Sequence, residues 1–314
     1  MNAKDLRIVF MGTPAFAVSA LRRLMEDGYN IVAVVTTPDK PAGRGLKVQQ
    51  SAVKQYAVGA GLPVLQPEKL KDPVFVEEFA ALDVDLAIVI AFRMLPEVIW
   101  AMPKAGTFNL HASLLPQYRG AAPINWAIIN GEKLTGVTTF MLNHEIDKGD
   151  ILGRREVEIT PEDTAGTLHD KLMDIGTGLV VETVDMIAAG TAGKIIQPQS
   201  DADLKPAPKI FKEDCLIRWH KDPQQIYNLI RGLSPYPAAW AYIVPDGGFC
   251  VEKAENEKGE TIETGCMHSI VPGDRAVSVK IFAARPEEAS YSASYGHIES
   301  DGNTYIKVAC HGGW

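Results

Sequence analysis

Three polar residues in the middle of the sequence could form a catalytic set: Asn109, His111 and Asp147. Asn109 and His111 lie two positions apart in a strand-like run, residues 107–111, so a β-strand places both side chains on one face. Asp147 follows a second strand-like run, residues 136–143. An amide can donate to a developing oxyanion, an imidazole can exchange protons near neutral pH, and a carboxylate can orient that imidazole or accept the nucleophile's proton. This chemistry requires neither a metal nor a covalent nucleophile.

An Asn-x-His pair at a strand end is, by itself, more often a turn-capping amide followed by a hydrogen-bonded core histidine. The catalytic interpretation is favoured by the absence of competing motifs in combination with a resemblance to a known family at these residues. The chain has no G-x-S-x-G, H-E-x-x-H, P-loop or G-x-G-x-x-G pattern. Gly12-Thr13-Pro14 stands where a dinucleotide fingerprint would be expected. A nicotinamide-binding function therefore loses most of its support.

Strand-like and helix-like segments alternate before this set. Residues 6–11 predict a strand, Thr13 a helix N-cap, Pro14 the first helical position, and Gly28 the helix end. Apolar runs at 31–35 and 85–91 predict further buried strands, and helices are expected from Ser51 and from Asp72-Pro73. The pattern indicates an α/β fold with a doubly wound, Rossmann-like, mostly parallel sheet, which binds ligands beyond the carboxyl ends of its strands.

A length of 314 residues favours two domains. Apolar residues recur at helical spacing after Thr164, which predicts a long helix to Ala189. A polar, proline-bearing stretch from about residue 191 predicts a linker. We expect a catalytic domain over residues 1–206, linker included, and a small C-terminal β-barrel, OB-like, over residues 207–314.

Composition excludes several function classes. A net charge of −8 is unlike that of a protein that grips nucleic acid over a long basic footprint, so any RNA contact should be local. No apolar run is long enough for a membrane span, and Gly12, Thr13 and Pro14 interrupt the only stretch that resembles a signal peptide. The four cysteines include no C-x-x-C pair, so we expect buried reduced thiols, no metal site and a cytoplasmic protein.

The sequence resembles the methionyl-tRNA formyltransferase family over nearly its whole length. The resemblance is carried by MGTPAFA (11–17), PDKPAGRGLKVQQSAVK (38–54), FNLHASLLPQYRGAAPINWAIINGE (108–132), GVTTFMLNHEIDKGDIL (136–152) and RGLSPYPAAW (231–240). The Asn-x-His and Asp-x-Gly elements alone are shared by all folate-dependent formyltransferases. The 38–54 block and the second domain indicate the narrower family.

The resemblance implies transfer of a formyl group from 10-formyltetrahydrofolate, a co-substrate that is not tightly bound, to the α-amine of initiator methionyl-tRNA. It implies that Asn109, His111 and Asp147 are catalytic. The residues that it places next to the folate are Ser113, Leu114, Leu115, Pro116 and Phe92. The residues that it places at the acceptor end of the tRNA are Lys40, Arg44 and Lys47, in an insert (residues 39–47) whose prolines and glycines predict no regular structure.

Two alternatives stay open at this point. One is a formyltransferase that acts on a sugar-nucleotide amine, and the other is a non-catalytic RNA-binding protein with the same fold. The chain departs from the family in having Phe92-Arg93 where Tyr-Gly is common, and in carrying Glu145 and Lys148 beside Asp147. It also stops at Trp314, before the basic C-terminal segment usual in the family, so we expect a truncated second domain. We separately expect a monomer.

Overall fold

The computed structural model describes residues 2–42, 47–198, 200, 202–244, 248–249, 251–255, 261–265, 277–290 and 293–314. The chain divides into two compact units. Unit 1 comprises Met1–Pro123, Leu134–Glu158 and His169–Ala207. Unit 2 comprises Ile124–Lys133, Ile159–Leu168 and Pro208–Trp314, so two stretches from earlier in the chain join the C-terminal residues.

A seven-stranded sheet forms the centre of unit 1. In chain order, the strands of this unit are β1 (Ile8–Gly12), β2 (Ile31–Val35), β3 (Lys40–Ala42), β4 (Lys47–Gln49), β5 (Val64–Leu65), β6 (Leu86–Ile90), β7 (Thr107–His111), β8 (Leu134–Met141) and β9 (Ile151–Glu158). The sheet order is β5-β2-β1-β6-β7-β8-β9. The first five strands in that order are parallel, whereas β8 runs antiparallel to both β7 and β9. The predicted mostly parallel α/β sheet is therefore confirmed.

The central strands are buried on both faces, which explains their continuous apolar sequences. Every residue of β1 and β6 is buried. On one face, alternate residues of β1, β2 and β6 pack with Phe75 and Phe79. This burial fixes the register of the strands, because a shift of one residue would exchange the two faces.

Six α-helices of the described residues lie between these strands or after them in the chain: α1 (Ala15–Glu26), α2 (Ala52–Gly59), α3 (Pro73–Ala81), α4 (Glu97–Trp100), α5 (Pro123–Ile129) and α6 (Ala165–Ala189). All of α5 after its first residue, and the first turn of α6, belong to unit 2. The predicted caps of α2 and α3 are confirmed, because Ser51 Oγ accepts from Lys54 N and Asp72 Oδ1 accepts from Val74 N. The cap predicted at Thr13 is wrong. Pro14 occupies the N-cap position, since its extended backbone delays the start of α1 to Ala15.

The basic insert contains more regular structure than its sequence predicts. Strands β3 and β4 pair antiparallel, with Lys40 opposite Gln49 and Ala42 opposite Lys47. Pro41 is compatible with this pairing because a two-stranded ribbon has free edges, where a missing N–H costs nothing. The expectation of no regular structure is therefore wrong at both ends of the insert.

Unit 2 carries the small C-terminal β domain. From Pro208 onward, this unit contains helix α7 (Pro223–Leu233) and strands β10 (Ala239–Val244), β11 (Gly248–Phe249), β12 (Val251–Glu255), β13 (Thr261–Gly265), β14 (Val277–Ile281), β15 (Ile298–Ser300) and β16 (Ile306–Val308). Their antiparallel sheets are β11-β10-β14, β12-β13 and β15-β16. Its core places the apolar face of α7, including Ile226 and Ile230, against Trp219 and Trp240.

Two features are absent from the described part of the chain. No described helix is both long enough and apolar enough to cross a membrane. Within the same residues, no group of three or more His, Cys, Asp or Glu side chains has the arrangement of a metal site. The thiols of Cys215 and Cys310 are buried, and Cys250 and Cys266 lie outside the described residues.

Candidate active site

The candidate site begins on β7, where the parallel part of the sheet meets its antiparallel part. Asn109 is opposite Val89 of β6 on one side and Phe140 of β8 on the other. Phe108 and Leu110 point into the core, with 0% and 4% exposure, so Asn109 and His111 share the opposite face as predicted. The Asn109 side chain is half-buried and makes no hydrogen bond to another described residue. Its amide donors can therefore serve a ligand.

His111 is buried at the end of β7 between a backbone carbonyl and a carboxylate. Its Nε2 lies 2.8 Å from the carbonyl oxygen of Tyr118, which can only accept, so Nε2 carries a proton. Its Nδ1 lies 3.9 Å from Oδ2 of Asp147. The structure thus brings together two of the three predicted catalytic side chains, and Nδ1 is the ring atom turned toward the carboxylate.

Asp147 lies in the loop between β8 and β9 and has an unusual backbone. Its φ is +55°, in the left-handed region that non-glycine residues seldom adopt. Its Oδ2 accepts a hydrogen bond from Gly120 N at 3.0 Å, and its side chain is only 15% exposed. Gly120 has a φ of +126°, and a Cβ there would overlap the Ala207 carbonyl oxygen. The Asp147 carboxylate is therefore held by a backbone donor that only glycine can present in this place.

The carbonyl group of Asp147 is also held, by two side chains. It accepts from Arg119 Nε at 3.2 Å and from Gln197 Nε2 at 3.0 Å. Gln197 comes from the stretch that the sequence predicts as a linker. Residues 205–207 of the same stretch make backbone hydrogen bonds to Tyr118, Arg119 and Ala122. This stretch therefore forms part of the site in unit 1.

Sequence reasoning did not identify four residues that hold the candidate catalytic side chains in place: Tyr118, Arg119, Gly120 and Gln197. The first three lie in the 108–132 block, in the loop after the strand that carries His111. Their position in that block could have indicated that they contact the site. Gln197 lies 50 residues from Asp147. Nothing in its local sequence indicates the contact.

The predicted folate-binding loop after β7 is fixed by Thr138 of β8. The Thr138 hydroxyl donates to the Ser113 carbonyl oxygen at 2.7 Å and accepts from Leu115 N at 3.1 Å. The side chains of Ser113 and Leu115 are buried, and Leu115 packs against Phe140 and Ile151. Leu114 and Pro116 are partly exposed. A ligand at this loop would meet these two side chains and the backbone of the other two residues.

Phe92 follows β6, the strand beside β7. Its ring packs against the core cluster that contains Val89 and Leu95. The guanidinium carbon of Arg93 lies 5.6 Å from the ring centroid, and its nitrogens donate to the carbonyl oxygens of Pro67 and Glu68. Burial lowers the pKa of Arg93. In this chain, Arg93 thus fixes the 67–68 turn against the end of β6.

Two of the three predicted tRNA-binding residues lie in the β3–β4 ribbon. Lys40 is in β3 and is exposed, Lys47 is in β4, and Arg44 lies outside the described residues. The base of the ribbon is anchored by Asp39, which accepts from Lys54 Nζ at 2.6 Å and from Gln66 Nε2 at 2.8 Å. These hydrogen bonds lower the pKa of Asp39.

A cleft of about 560 Å³ adjoins the Asp147 loop in unit 1. It is lined by Pro116, Arg119, Gly120, Glu145, Ile146, Lys148, Leu204, Lys205 and Pro206. Three of these residues are cationic and one is anionic, and Lys148 Nζ lies 3.4 Å from Glu145 Oε1. The cleft therefore offers a mainly positive surface next to the partly buried carboxylate of Asp147.

Family models match both parts of the chain. The model described as formyl transferase matches residues 6–184, and the model described as formyl transferase, C-terminal domain, matches residues 209–314. The chain is 52% identical over 318 residues to the methionyl-tRNA formyltransferase of Parabacteroides distasonis, covering 100% of this chain and 90% of that protein. It is 47% identical over 311 residues to that of Flavobacterium johnsoniae, covering 99% and 90%.

Solved structures share the fold at low sequence identity. The N-formyltransferase from Helicobacter canadensis, in complex with folinic acid and dTDP-3-aminofucose, has a TM-score of 0.57 at 20% identity and covers 83% of this chain and 99% of its own. HypX from Aquifex aeolicus, in complex with tetrahydrofolic acid, has a TM-score of 0.56 at 18% identity and covers 81% and 40%. The near-complete, half-identical relatives and the two family matches show that the chain belongs to the methionyl-tRNA formyltransferase family.

Proposed function

We propose that this enzyme transfers the formyl group of 10-formyltetrahydrofolate to the α-amine of initiator methionyl-tRNA, and that Asn109, His111 and Asp147 carry the reaction. The observation that carries the proposal is the approach of His111 Nδ1 to Asp147 Oδ2, at 3.9 Å. This pair lies two residues along β7 from Asn109, whose side-chain amide makes no hydrogen bond to another described residue. The product is the N-formylmethionyl-tRNA used in translation initiation. The reaction takes place in the cytoplasm, where charged tRNA is made.

The chemical step is a direct acyl transfer. The neutral amine nitrogen attacks the formyl carbon, and the carbonyl π pair moves to the oxygen of a tetrahedral intermediate. Collapse of that intermediate breaks the bond between the formyl carbon and N10 of the folate. The amine loses one proton and N10 gains one, so no other reactant is needed.

Asn109 and His111 stabilise the oxyanion of this intermediate. The Asn109 amide offers N–H donors that make no other side-chain hydrogen bond to the described residues. Because Nε2 of His111 is committed to Tyr118, the ring can donate to the oxyanion only through Nδ1, when that atom is protonated. Donors placed in advance for developing charge are worth about 10²–10³ in rate.

Asp147 complements the charge of the imidazolium and helps to remove the amine proton. Its carboxylate faces Nδ1 at a distance longer than a hydrogen bond, and catalytic hydrogen bonds of ligand-free sites commonly shorten when substrate binds. The hydrogen bond from Gly120 N fixes the position of Oδ2 of this carboxylate. This pairing gives the proposed reaction a proton donor, His111, beside a proton acceptor, Asp147.

The substrates are assigned to neighbouring surfaces. The folate lies along the loop of Ser113, Leu114, Leu115 and Pro116 and reaches Phe92, all of which follow strands β6 and β7 at their carboxyl ends. The tRNA meets Lys40, Arg44 and Lys47 on the insert. In this division, residues 1–206 carry out catalysis and residues 207–314 add tRNA binding. Two solved relatives of the same fold hold folates, which supports the choice of donor.

The deciding experiment supplies the purified protein with 10-formyltetrahydrofolate and one of three acceptors. These are methionyl initiator tRNA, methionyl elongator tRNA and a dTDP-linked amino sugar. We expect N-formylmethionine on the initiator tRNA, with much slower transfer to the others. Formylation of the sugar alone would establish the sugar-amine alternative, and the absence of any formylated product would favour a non-catalytic RNA-binding protein.

A further inference from the structure

Gln197 makes an unusually complete set of hydrogen bonds for a residue in a proline-bearing connection. Its side chain is 3% exposed. Its Nε2 donates to the carbonyl oxygens of Asp147 at 3.0 Å and Gly149 at 2.7 Å, and its Oε1 accepts from an Nη of Arg119 at 2.8 Å. Three of the four hydrogen-bonding positions of the amide are thus used, by the two carbonyl oxygens of the loop and by the Arg119 guanidinium.

The orientation of this amide follows from its partners. Both backbone carbonyls can only accept, and the Arg119 guanidinium can only donate. The opposite orientation would set oxygen against two oxygens and nitrogen against a cation. The side-chain amide of Gln197 therefore donates one hydrogen bond to each end of the Asp147-Lys148-Gly149 turn.

The stretch that carries Gln197 is itself fixed. Ile195 pairs with Ile151 of β9 through two backbone hydrogen bonds, of 2.9 and 3.0 Å, two residues before Gln197. Ile151 belongs to the strand that leaves the Asp147 loop. Strand β9, which follows the Asp147 loop, therefore also holds the backbone that carries the Gln197 amide.

Asp147 needs such support because its left-handed backbone is disfavoured for a side chain with a Cβ. We propose that Gln197, together with Arg119, is a positioning residue that keeps Asp147 in this conformation and so keeps its carboxylate turned toward His111. Neither residue is assigned a contact with the reacting atoms. This inference rests on the proposed function, since it assigns the support of a group in that reaction.

The test is a double-mutant cycle. Gln197→Ala removes both donors to the loop. We expect kcat for formyl transfer to fall about 10- to 100-fold, because a small displacement of a catalytic group slows a reaction by factors of this size. The KM for folate and for tRNA should stay within about 2-fold. If Gln197 acts through the Asp147 carboxylate, adding Gln197→Ala to Asp147→Asn should lower kcat by less than about a further 3-fold.

Two companion variants keep the test decisive. Gln197→Glu has the same shape and keeps an acceptor for Arg119, but it loses both donors, so we expect the same loss of kcat even if the alanine variant does not fold. Ile196→Ala changes the adjacent side chain, which is 78% exposed, and should behave as the parent.

The inference is overturned by a parental kcat in Gln197→Glu, by full additivity with Asp147→Asn, or by a loss confined to KM. Inactivity of the parent protein toward methionyl-tRNA would instead refute the proposed function, so the two failures are distinguishable.

Discussion

The Nε2 of His111 donates a hydrogen bond to the carbonyl oxygen of Tyr118 at 2.8 Å. This bond sets the ring orientation and the neutral tautomer, because a carbonyl oxygen cannot donate. Tyr118 has a φ of +60°, and its own N–H donates to the Lys205 carbonyl oxygen at 2.7 Å. The direction of the imidazole is thus determined by the backbone of the loop after β7, and Nδ1 is left for the chemistry.

The first prediction concerns this tautomer. At a pH where the ring is neutral, we expect ¹⁵N–¹H correlation spectra to show a proton on Nε2 of His111 and none on Nδ1, with the signals assigned by their loss in His111→Asn. A neutral ring protonated on Nδ1 would show that the carboxylate, instead of Tyr118, determines the tautomer.

The second prediction concerns the turn after Asp147. A Cβ at Gly149 would overlap the Met141 carbonyl oxygen, so Gly149→Ala must displace backbone next to the site. We expect a lower Tm and a loss of activity.

Gly178, in α6, is the matched control, since a Cβ there meets nothing within 4 Å. Gly178→Ala should raise stability by up to about 1 kcal/mol through helix propensity, with activity unchanged. Similar Tm values for the two variants in a thermal melt would contradict this reading of the turn.

The third prediction concerns the basic insert. Arg44→Ala and Lys40→Ala should raise the KM for tRNA and leave the KM for folate unchanged. If each cation meets a phosphate, each substitution should also reduce the slope of log kcat/KM against log salt by about 0.7 to 0.9. Lys71→Ala, at another exposed lysine, should change neither quantity. Unaltered tRNA kinetics for both insert variants would remove the insert from the tRNA surface.

The fourth prediction concerns the anchor of that insert. Hydrogen bonds from Lys54 and Gln66 lower the pKa of Asp39 in the folded protein, so this group stabilises the fold above its unfolded pKa, about 3.9. That stabilisation is lost as the pH falls through the folded pKa.

The Tm difference between the parent and Asp39→Asn should therefore be largest near neutral pH and should narrow as the pH approaches about 3. Asp174→Asn, at an exposed position of α6, should show a small difference that varies little with pH. A difference for Asp39→Asn that does not change with pH would contradict the ion-pair anchor.

Local patterns in the sequence were sufficient to predict most elements of unit 1. Buried β-branched runs predicted β1, β2 and β6, and Ser51 and Asp72 predicted the starts of α2 and α3 because a side-chain cap acts within three residues. The period of two along β7 predicted the shared face of Asn109 and His111. The error at Thr13 arose because proline is compatible with both the N-cap and the first helical position, and the sequence does not distinguish them.

Contacts between distant segments could not be predicted in this way. The side chain of Gln197 meets the Asp147 carbonyl across 50 residues, and Tyr118 meets His111 through a backbone atom that carries no residue identity. Strand β3 contains Pro41, which predicts no regular structure by itself. The ribbon forms because β3 pairs with β4, and this pairing is not apparent from the local sequence of either strand. Such features become visible only when the chain is folded.

The central claim is that Asn109, His111 and Asp147 act on the reacting formyl group, and single-turnover kinetics with bound 10-formyltetrahydrofolate test it most directly. Asn109→Ala and Asp147→Asn should each slow formyl transfer to methionyl initiator tRNA by about 10²–10³-fold, while the Kd for the folate stays within a few-fold of the parent value. Near-parental transfer rates in both variants would contradict the account.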